Sequence, residues 1–271
     1  MTDAREKQSL RQLRAQAQRF YNAKDLARFG RGDLSQWASL VEQLARHTEQ
    51  PHPLILELGA GRTKWGNLPG SHIALDISLL SLQQKTNPSV QADMQRLPFA
   101  NNSVNFIFSI AALEHVPFPE LALLEILRVL ALESKALLAP AWFCRPWAAK
   151  GLPIKSYDEL SWPDKIAKAS LVIRENILFR ALGILPRRLW RELRWLLCRG
   201  PQPFSYRRLQ PNLNEYVMSD SDAFTSMDPH AATLFFLSRG LHVDHSSFWQ
   251  RVLGRYYSIT VSKLTAQEKH L

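Results

Sequence analysis

The feature that most constrains this chain is a series of short apolar segments that alternate with helical or polar stretches. A short apolar run bounded by turn residues is typical of a buried strand. On this basis the predicted strands are Leu54–Leu58, Ile73–Leu75, Val90–Ala92, Val104–Ile110 and Ala136–Leu138, with a helix at Pro119–Leu130 before the fifth, and two more strands at Leu241–Val243 and Tyr257–Val261. Strands and helices that alternate through short connections predict a parallel, doubly wound α/β sheet, here of about seven strands.

The rest of the chain suggests a four-part organisation. The predicted parts are an N-terminal helical cap at 1–50, a sheet core at 51–141, a basic helical insertion or lid at 142–218, and a C-terminal helix with the last two strands at 219–271. Within the cap, 29–33 breaks the helical periodicity. In the last part, Asp228 is placed to cap a helix that starts at Pro229 and ends before Gly240.

The overall charge limits the classes of partner. The formal net charge is +10, and a surplus of this size favours nucleic acid, an anionic membrane surface or phosphorylated substrates. The two cysteines, Cys144 and Cys198, are far apart and no Cys/His cluster occurs, so neither a metal site nor a disulfide framework is predicted. Without an apolar run of roughly 18 residues or a secretory signal, the sequence predicts a cytoplasmic protein.

A glycine-containing loop follows the first predicted strand. In Gly59-Ala60-Gly61, the two glycines have no side chains, so the backbone of the loop could approach a ligand closely. A dinucleotide-binding loop would carry a third glycine at the position of Lys64, so the NAD fingerprint fails in its spacing. Glu57, two residues before Gly59, would repel a pyrophosphate but suits a ligand that is cationic at that point. Taken alone, the loop is equally consistent with a turn that binds nothing.

The loop is one of six motifs that occur in a particular order. They are Glu57-x-Gly59-x-Gly61, Asp76, Asp93-x(3)-Leu97-Pro98-Phe99, Asn102-Ser103-Val104-Asn105, Glu114-His115-Val116 and Arg128-Val129-Leu130. In order and separation they resemble the motifs of class I S-adenosylmethionine-dependent methyltransferases, most closely the group called type 11. The resemblance covers roughly Leu54–Ala139, about a third of the chain. It implies a Rossmann-like sheet with an antiparallel last hairpin, and S-adenosylmethionine as cofactor and methyl donor.

The resemblance also assigns roles to individual residues. Asp76 would accept the ribose hydroxyls, Asp93 would accept the adenine amino group, and Met94 would pack on the adenine ring. The predicted cofactor-binding residues are Glu57, Gly59, Ala60, Gly61, Asp76, Ile77, Asp93, Met94 and Ser109. For Asp76, capping the following helix is a compatible alternative. Two departures from the family pattern are Thr63, in place of a third glycine, and Ala131–Ser134, in place of a Lys-Pro-Gly-Gly surface turn.

The candidate bases for a methyl acceptor come from two places. His115 follows the fourth strand, where it could act as a general base or only shape the pocket. Asp220, Asp222 and His230 belong to an acid-rich segment, 216–230, that resembles part of methyltransferases from bacterial surface-glycan clusters. Helix capping is the alternative role for Asp222 and Asp228.

These features predict O-methylation of a saccharide or lipid-linked saccharide hydroxyl. RNA methylation is the first alternative, suggested by the positive charge, although no Asn-Pro-Pro-Tyr-like segment follows the fourth strand. Cys144 is the conceivable nucleophile for methylation of pyrimidine carbon, and buried filler is the other interpretation. A degenerate methyltransferase fold that serves as a binding subunit is the second alternative, suggested by Thr63.

An arginine-rich segment lies in the predicted insertion. Residues 174–208 contain nine arginines and two acidic residues, with Leu189, Trp190 and Leu193 supplying an apolar helix face. A basic amphipathic helix with Trp is typical of membrane-surface binding or of anion capture. We therefore expect a lid that contacts the inner face of an anionic membrane. The alternative is a lid helix whose apolar face packs on the core while its arginines are solvated.

Overall fold

The computed structural model describes residues 2–22, 34–48, 50–198 and 200–264. The predicted helix break at 29–33 lies outside these residues. The chain forms two compact units, the first made of Met1–Pro140 with Ser258–Leu271 and the second of Ala141–Tyr257. In these terms, the predicted N-terminal cap and sheet core share one unit, and most of the last predicted part lies with the insertion.

The strands alternate with helices as the sequence predicts. The strands described are β1 (Leu54–Leu58), β2 (Ser71–Asp76), β3 (Ser89–Gln91), β4 (Val104–Ile110), β5 (Leu130–Ala139), β6 (Arg207–Arg208), β7 (Thr225–Ser226), β8 (His242–Val243) and β9 (Ile259–Lys263). The helices described are α1 (Thr2–Tyr21), α2 (Ser35–Arg46), α3 (Leu79–Leu82), α4 (Pro119–Val129), α5 (Trp162–Ala169), α6 (Leu171–Glu175), α7 (Ile177–Cys198), α8 (Pro229–Leu237) and α9 (Phe248–Leu253), with short 3₁₀ turns at Leu113–His115 and Ala148–Lys150.

Seven of these strands form one sheet in the order β3-β2-β1-β4-β5-β9-β8. Strands β1 to β5 pair in parallel, and β9 pairs with β5 antiparallel. The predicted fold class is therefore confirmed: a mostly parallel, Rossmann-like sheet with an antiparallel end and flanking helices. Because all the parallel strands point the same way, the loops after β1, β2, β3 and β4 meet at one edge of the sheet, where ligands bind in such folds.

The core of the first unit explains why β1 and β4 are central. Both strands are buried almost throughout, as parallel strands covered on both faces must be. On one face α2 contributes Val41 and Ala45 to a cluster with Ile55, Phe106 and Phe108. This packing fixes the direction of β1, and hence the place where its terminal glycine loop emerges.

Strand β5 differs from its prediction at one end. Ala131–Ser134, predicted as a surface turn, lies inside the strand as an irregularity. The pairing with β4 jumps from Leu130 to Lys135, and Glu133 has a φ of 58°. A bulge of this kind keeps the strand continuous while its extra residues loop outward. Ser134 then pairs with Lys263 of β9, which explains why the segment remains in the sheet.

The second unit is helical around a small two-stranded ladder of β6 and β7. The prediction that Asp228 caps the helix starting at Pro229 is confirmed, because its carboxylate accepts a hydrogen bond from the His230 N–H. That helix, α8, is buried on nearly every side, and Gly240 follows its end with a φ of 79°. No helix in the described part of the chain is long and apolar enough to cross a membrane.

Candidate functional site

The glycine loop between β1 and β2 has the backbone conformation that its sequence requires. Gly59 and Gly61 have φ values of 70° and 48°, in the left-handed region that favours glycine. A Cβ on Gly59 would lie 2.3 Å from the Cβ of Ala112 and 3.3 Å from the Met94 methyl carbon, so this position is closed to any side chain. A Cβ on Gly61 would meet nothing within 4 Å. The loop is therefore packed at its first glycine and open at its second.

Asp76 joins the end of β2 to this loop. Its Oδ2 accepts a hydrogen bond from the Gly61 N–H at 2.8 Å, and its Oδ1 accepts one from the Ser78 N–H at 2.7 Å. Burial raises the pKa of the Asp76 carboxyl, although these two N–H groups and the charge of Lys85 lower it in part. Each oxygen keeps a lone pair, so the carboxylate can still accept hydroxyl protons in front of Gly61.

Glu57 has partners that its sequence position did not reveal. Its carboxylate is buried and lies 3.1 Å from the ammonium group of Lys85, which is itself buried. The indole N–H of Trp65 donates to Glu57 Oε1 at 2.6 Å, and Lys85 also donates to the carbonyl of Thr63 at 2.5 Å. An internal cation, Lys85, therefore lies against the carboxylate that the sequence predicts as the partner of a cationic ligand. These contacts show Glu57 and Lys85 holding the loop in place.

Asp93 and Met94, after β3, lie on the same side of the sheet as the loop. The methyl carbon of Met94 lies next to Gly59. The Asp93 carboxylate accepts from the backbone N–H of Gln95 at 2.8 Å and pairs with Arg14 of α1 at 2.6 Å. Helix α1 therefore crosses the edge where the cofactor is predicted. Its last residue, Tyr21, accepts a hydrogen bond from the Ser78 hydroxyl at 2.8 Å.

The other predicted residues of the first unit divide into two groups. Ser109 is buried and donates its hydroxyl to the Leu58 carbonyl at 3.2 Å, so it links β4 to β1 rather than facing the open side. Ala60 is buried in a small cluster with Ala74, and Ile77 is half-buried next to Asp76. His115 follows β4 in a 3₁₀ turn, and its ring meets that of Tyr21 edge-on at 6.0 Å. His115 is thus held beside α1 at the carboxyl edge of the sheet.

The remaining candidate bases lie in the second unit, in two separate settings. Asp222 is buried, Asp220 is half-buried with a φ of 62°, and both lie near Tyr216. Burial and then the charges of Asp222 and Asp220 raise the pKa of the Tyr216 hydroxyl. His230 is instead fully buried, with its Nε2 3.0 Å from Glu192 of α7. Burial lowers the pKa of His230, more than the neighbouring Glu192 and Asp228 raise it.

His230 belongs to an ionic network that the sequence did not predict. Arg188 and Arg191 of α7 both bind the carboxylate of Asp228, at 2.8 and 2.7 Å, and Arg251 binds Glu192 at 2.6 Å. Arg188 also donates to the carbonyls of Val252 and Gly254, both at 2.9 Å. The one sign of this network in the sequence was the spacing of Arg188 and Glu192, which lie one helical turn apart on the same face of α7. Their partners lie 38 or more residues away in sequence, which no local pattern can indicate.

The comparisons with known proteins agree with this topology. Residues 56–138, less than a third of the chain, match the family model of a methyltransferase domain. No curated protein matches the chain.

Several solved structures are similar to parts of the chain. The YcgJ protein from Bacillus subtilis is 18% identical over 38% of this chain and 50% of its own, with a TM-score of 0.32. An S-adenosylmethionine-dependent methyltransferase from Thermotoga maritima is 19% identical over 42% of this chain and 58% of its own, with a TM-score of 0.29. Geranyl diphosphate C-methyltransferase from Streptomyces coelicolor A3(2) is 13% identical over 58% of this chain and 78% of its own, with a TM-score of 0.37. The match thus spans little more than half of the first two of these chains. With its seven-stranded sheet and the domain matched at residues 56–138, the chain has the fold of S-adenosylmethionine-dependent methyltransferases.

Proposed function

We propose that this protein is an S-adenosylmethionine-dependent methyltransferase. The observation that carries the proposal is the pairing of Gly61, whose missing side chain leaves open space, with the Asp76 carboxylate hydrogen-bonded to it at 2.8 Å. Both lie within the matched methyltransferase domain. Asp76 would hold the ribose hydroxyls in front of Gly61. Met94, next to Gly59, would lie against the adenine ring.

The chemistry that this chain must add is modest. When bound, S-adenosylmethionine supplies a methyl group on a sulfonium, which is already a good leaving group. The enzyme's main task is therefore to align donor and acceptor. A sugar hydroxyl is weakly acidic and gains from a base, for which His115 is the candidate in the first unit and Asp220, Asp222 and His230 are the candidates in the second. His230 would first have to leave its contact with Glu192.

Calorimetric titration with S-adenosylhomocysteine tests the cofactor assignment. We expect saturable binding by the wild-type protein and a loss of binding in Asp76→Ala. A matched control is Asp164→Ala, which removes a half-buried carboxylate of the second unit that pairs with Lys150. No binding of S-adenosylhomocysteine by the folded wild-type protein would contradict the proposal, and binding of NAD in its place would identify a different cofactor.

The acceptor we propose is a hydroxyl of a saccharide or lipid-linked saccharide. The support is the surface-glycan resemblance of 216–230 and the basic character of the second unit, which suits an acceptor that carries phosphate. Incubation with labelled donor and either a lipid-glycan extract or total RNA separates the alternatives. Label in the glycan fraction supports the assignment, and label in RNA alone contradicts it. Methyl transfer to either acceptor eliminates a purely non-enzymatic binding subunit.

We further propose that the acceptor is met at an anionic membrane surface, through α7. This helix turns its polar face inward, with Arg188 and Glu192 buried, while its apolar residues face outward. Leu182 is 75% exposed and Trp190 is 65% exposed. The exposed apolar residues of α6 and α7 are Val172, Ile173, Ile177, Leu178, Phe179, Leu182, Leu189, Trp190, Leu193, Leu196 and Leu197. Exposed apolar surface of this extent, beside arginines, suits a membrane interface.

Co-sedimentation with vesicles tests this contact. Arg188 and Arg191 are unsuitable for mutation, because both hold Asp228 and their loss would report on folding. Leu182→Gln with Leu193→Gln removes apolar area that is already exposed, and we expect it to weaken binding to anionic vesicles while leaving the melting temperature unchanged. Arg194→Gln should weaken binding only at low salt. Equal sedimentation of the wild type with neutral and anionic vesicles, or with neither, would contradict the proposal.

A further inference from the structure

The second unit contains a cavity of about 450 Å³ with an unusual charge. Its wall holds one carboxylate, that of Asp228, and six arginines: Arg145, Arg174, Arg180, Arg187, Arg191 and Arg207. The arginines come from the segment after β5, from α6 and α7, and from β6, so the fold gathers them from four places in the sequence. A cavity of this size is in the range that takes a small organic ligand.

Most of this positive charge has no internal counterpart. Asp228 is already engaged by Arg191 and by Arg188, which leaves it little capacity for the others. Within the described chain, Arg145, Arg174, Arg180, Arg187 and Arg207 form no salt bridge, although Arg145 and Arg180 lie over the rings of Trp147 and Phe143. Arginines gathered in a concave site without carboxylate partners repel one another, unless an anion binds among them.

Arg180 shows the cost of this arrangement. Burial, followed by the nearby charges of Arg145 and Arg255, lowers the pKa of its guanidinium from the usual value, and the charge of Glu175 offsets this only in part. An arginine held in this way is destabilised in the empty cavity and stabilised by a bound anion. The fixed fork of a guanidinium matches phosphate oxygens two at a time, and several forks around one cavity suit a group with several such oxygens.

We propose that this cavity binds a phosphate ester, with a diphosphate as the preferred group. The cavity wall also carries Ser205, Tyr206 and Ser226, which supply hydroxyl donors, and the aromatic rings of Phe143, Trp147 and Phe179. The rings would contact an organic group attached to the phosphate. This inference deepens the proposed function and rests on it in one respect, that the phosphate ester is the methyl acceptor. The binding site itself is argued independently of methyl transfer.

Calorimetry with inorganic pyrophosphate tests the site in the full-length protein. The expected result is saturable binding that Arg187→Gln weakens by roughly tenfold or more, since one charge-assisted contact is lost. Arg145→Gln should have a similar effect. Arg194→Gln is the matched control, because Arg194 is also exposed on α7 but does not line the cavity. Melting curves establish that each variant is folded. Absence of pyrophosphate binding, or equal weakening by Arg187→Gln and Arg194→Gln, would overturn the proposal.

Two further arms identify the source of the phosphate. A nucleoside-diphosphate sugar in solution and farnesyl diphosphate in neutral detergent micelles are titrated separately, with pyrophosphate as competitor. Displacement of either by pyrophosphate supports the site and shows whether the ester is soluble or lipid-linked. Binding of a short single-stranded RNA that Arg187→Gln and Arg194→Gln weaken equally would favour a general basic surface and overturn the proposal. Pyrophosphate binding without S-adenosylhomocysteine binding would leave the anion site standing and refute the proposed function alone.

Discussion

At the scale of single residues, the two glycines of the loop make different demands. Gly61 faces open space, so Gly61→Ala adds a methyl group without a clash and strains the backbone by about 1–2 kcal/mol, the usual cost of a left-handed conformation. We expect a small drop in melting temperature but a loss of S-adenosylhomocysteine binding of tenfold or more, roughly, because the methyl group enters the space predicted for the cofactor. Calorimetry and thermal melts measure the two effects separately.

Gly59→Ala is the companion variant, and its main effect should be on stability. Its Cβ would lie 2.3 Å from that of Ala112, at a φ of 70°, so either β1 or the turn after β4 must shift. We expect a folding defect that is visible in expression and melting. If Gly61→Ala destabilised the protein as much as Gly59→Ala, the space in front of Gly61 would not be open in solution.

The buried ion pair of Glu57 and Lys85 gives a second prediction at this scale. Lys85→Met leaves the Glu57 carboxylate buried without its cation, which costs about 3–5 kcal/mol in comparable pairs. Glu57→Gln with Lys85→Met should recover part of that stability, because no charge then stays buried. Denaturant unfolding of the three proteins measures the difference. A double variant no more stable than Lys85→Met alone would show that the pair acts through packing and not through charge.

At the scale of elements, the strands of the seven-stranded sheet were predictable, and the two strands of the small ladder were not. Strands β1 and β4 match their predicted bounds because continuous burial leaves a continuous apolar run. Strands β6 and β7 are two residues each, and they exist because they pair with each other. The bulge in β5 depends in the same way on two neighbouring strands, so the sequence at 131–134 resembles an ordinary turn.

Helix α7 shows a second limit of sequence patterns. The alternation of apolar and basic residues predicted an amphipathic helix, but either face could have been the inward one. The structure buries Arg188 and Glu192, because Asp228, Arg251 and the carbonyls near Val252 supply partners for them. Burial of charge is favourable only where each charge is paired and hydrogen-bonded. A single sequence does not reveal partners that lie so far along the chain.

Helix α1 gives a prediction that belongs to this scale. Its Arg14 holds the Asp93 carboxylate, which is also the predicted acceptor of the adenine amino group. A partly exposed ion pair of this kind is worth about 1 kcal/mol at most, so Arg14→Gln should tighten S-adenosylhomocysteine binding by roughly two- to fivefold. Arg19→Gln is the control, since Arg19 donates a hydrogen bond to the carbonyl of Ala15 in its own helix. Weaker binding in Arg14→Gln would instead assign Arg14 to the closed, ligand-bound site.

At the scale of the whole molecule, the sequence predicted the fold class and the edge of the sheet that carries the loop, but not the internal contacts of the second unit. In the first unit each strand of the parallel sheet is followed by a loop, so the sequence motifs could be assigned to these loops in order. The second unit is held by ionic contacts between α7, the start of α8 and α9. These contacts make its stability depend on pH in a direction that can be worked out.

Glu192 sets the acid end of this dependence. Burial alone would raise the pKa of its carboxyl, but the hydrogen bonds and charges of Arg251 and His230 lower it from 4.5 to about 2. A carboxyl whose pKa is lowered by folding stabilises the fold at pH values above its pKa in the unfolded chain. That contribution is lost as pH falls from 4.5 towards 2. Asp228 behaves in the same way. Burial raises the pKa of its carboxyl, but Arg188 and Arg191 lower it by more, so Asp228 also loses its stabilising contribution at acid pH.

His230 extends the dependence towards neutral pH. Burial lowers its pKa, so below pH 6.5 this ring binds fewer protons in the folded protein than in the unfolded chain. Stability should therefore begin to fall near pH 6.5 and continue to fall as the acid side chains protonate. In His230→Gln the amide can still donate to Glu192, so the decline should start only near pH 4.5. The exposed His52, changed to Gln, is the control. Melting temperatures measured by circular dichroism between pH 8 and pH 3 test this, and a wild-type decline near pH 6.5 that persists unchanged in His230→Gln would assign it to another group.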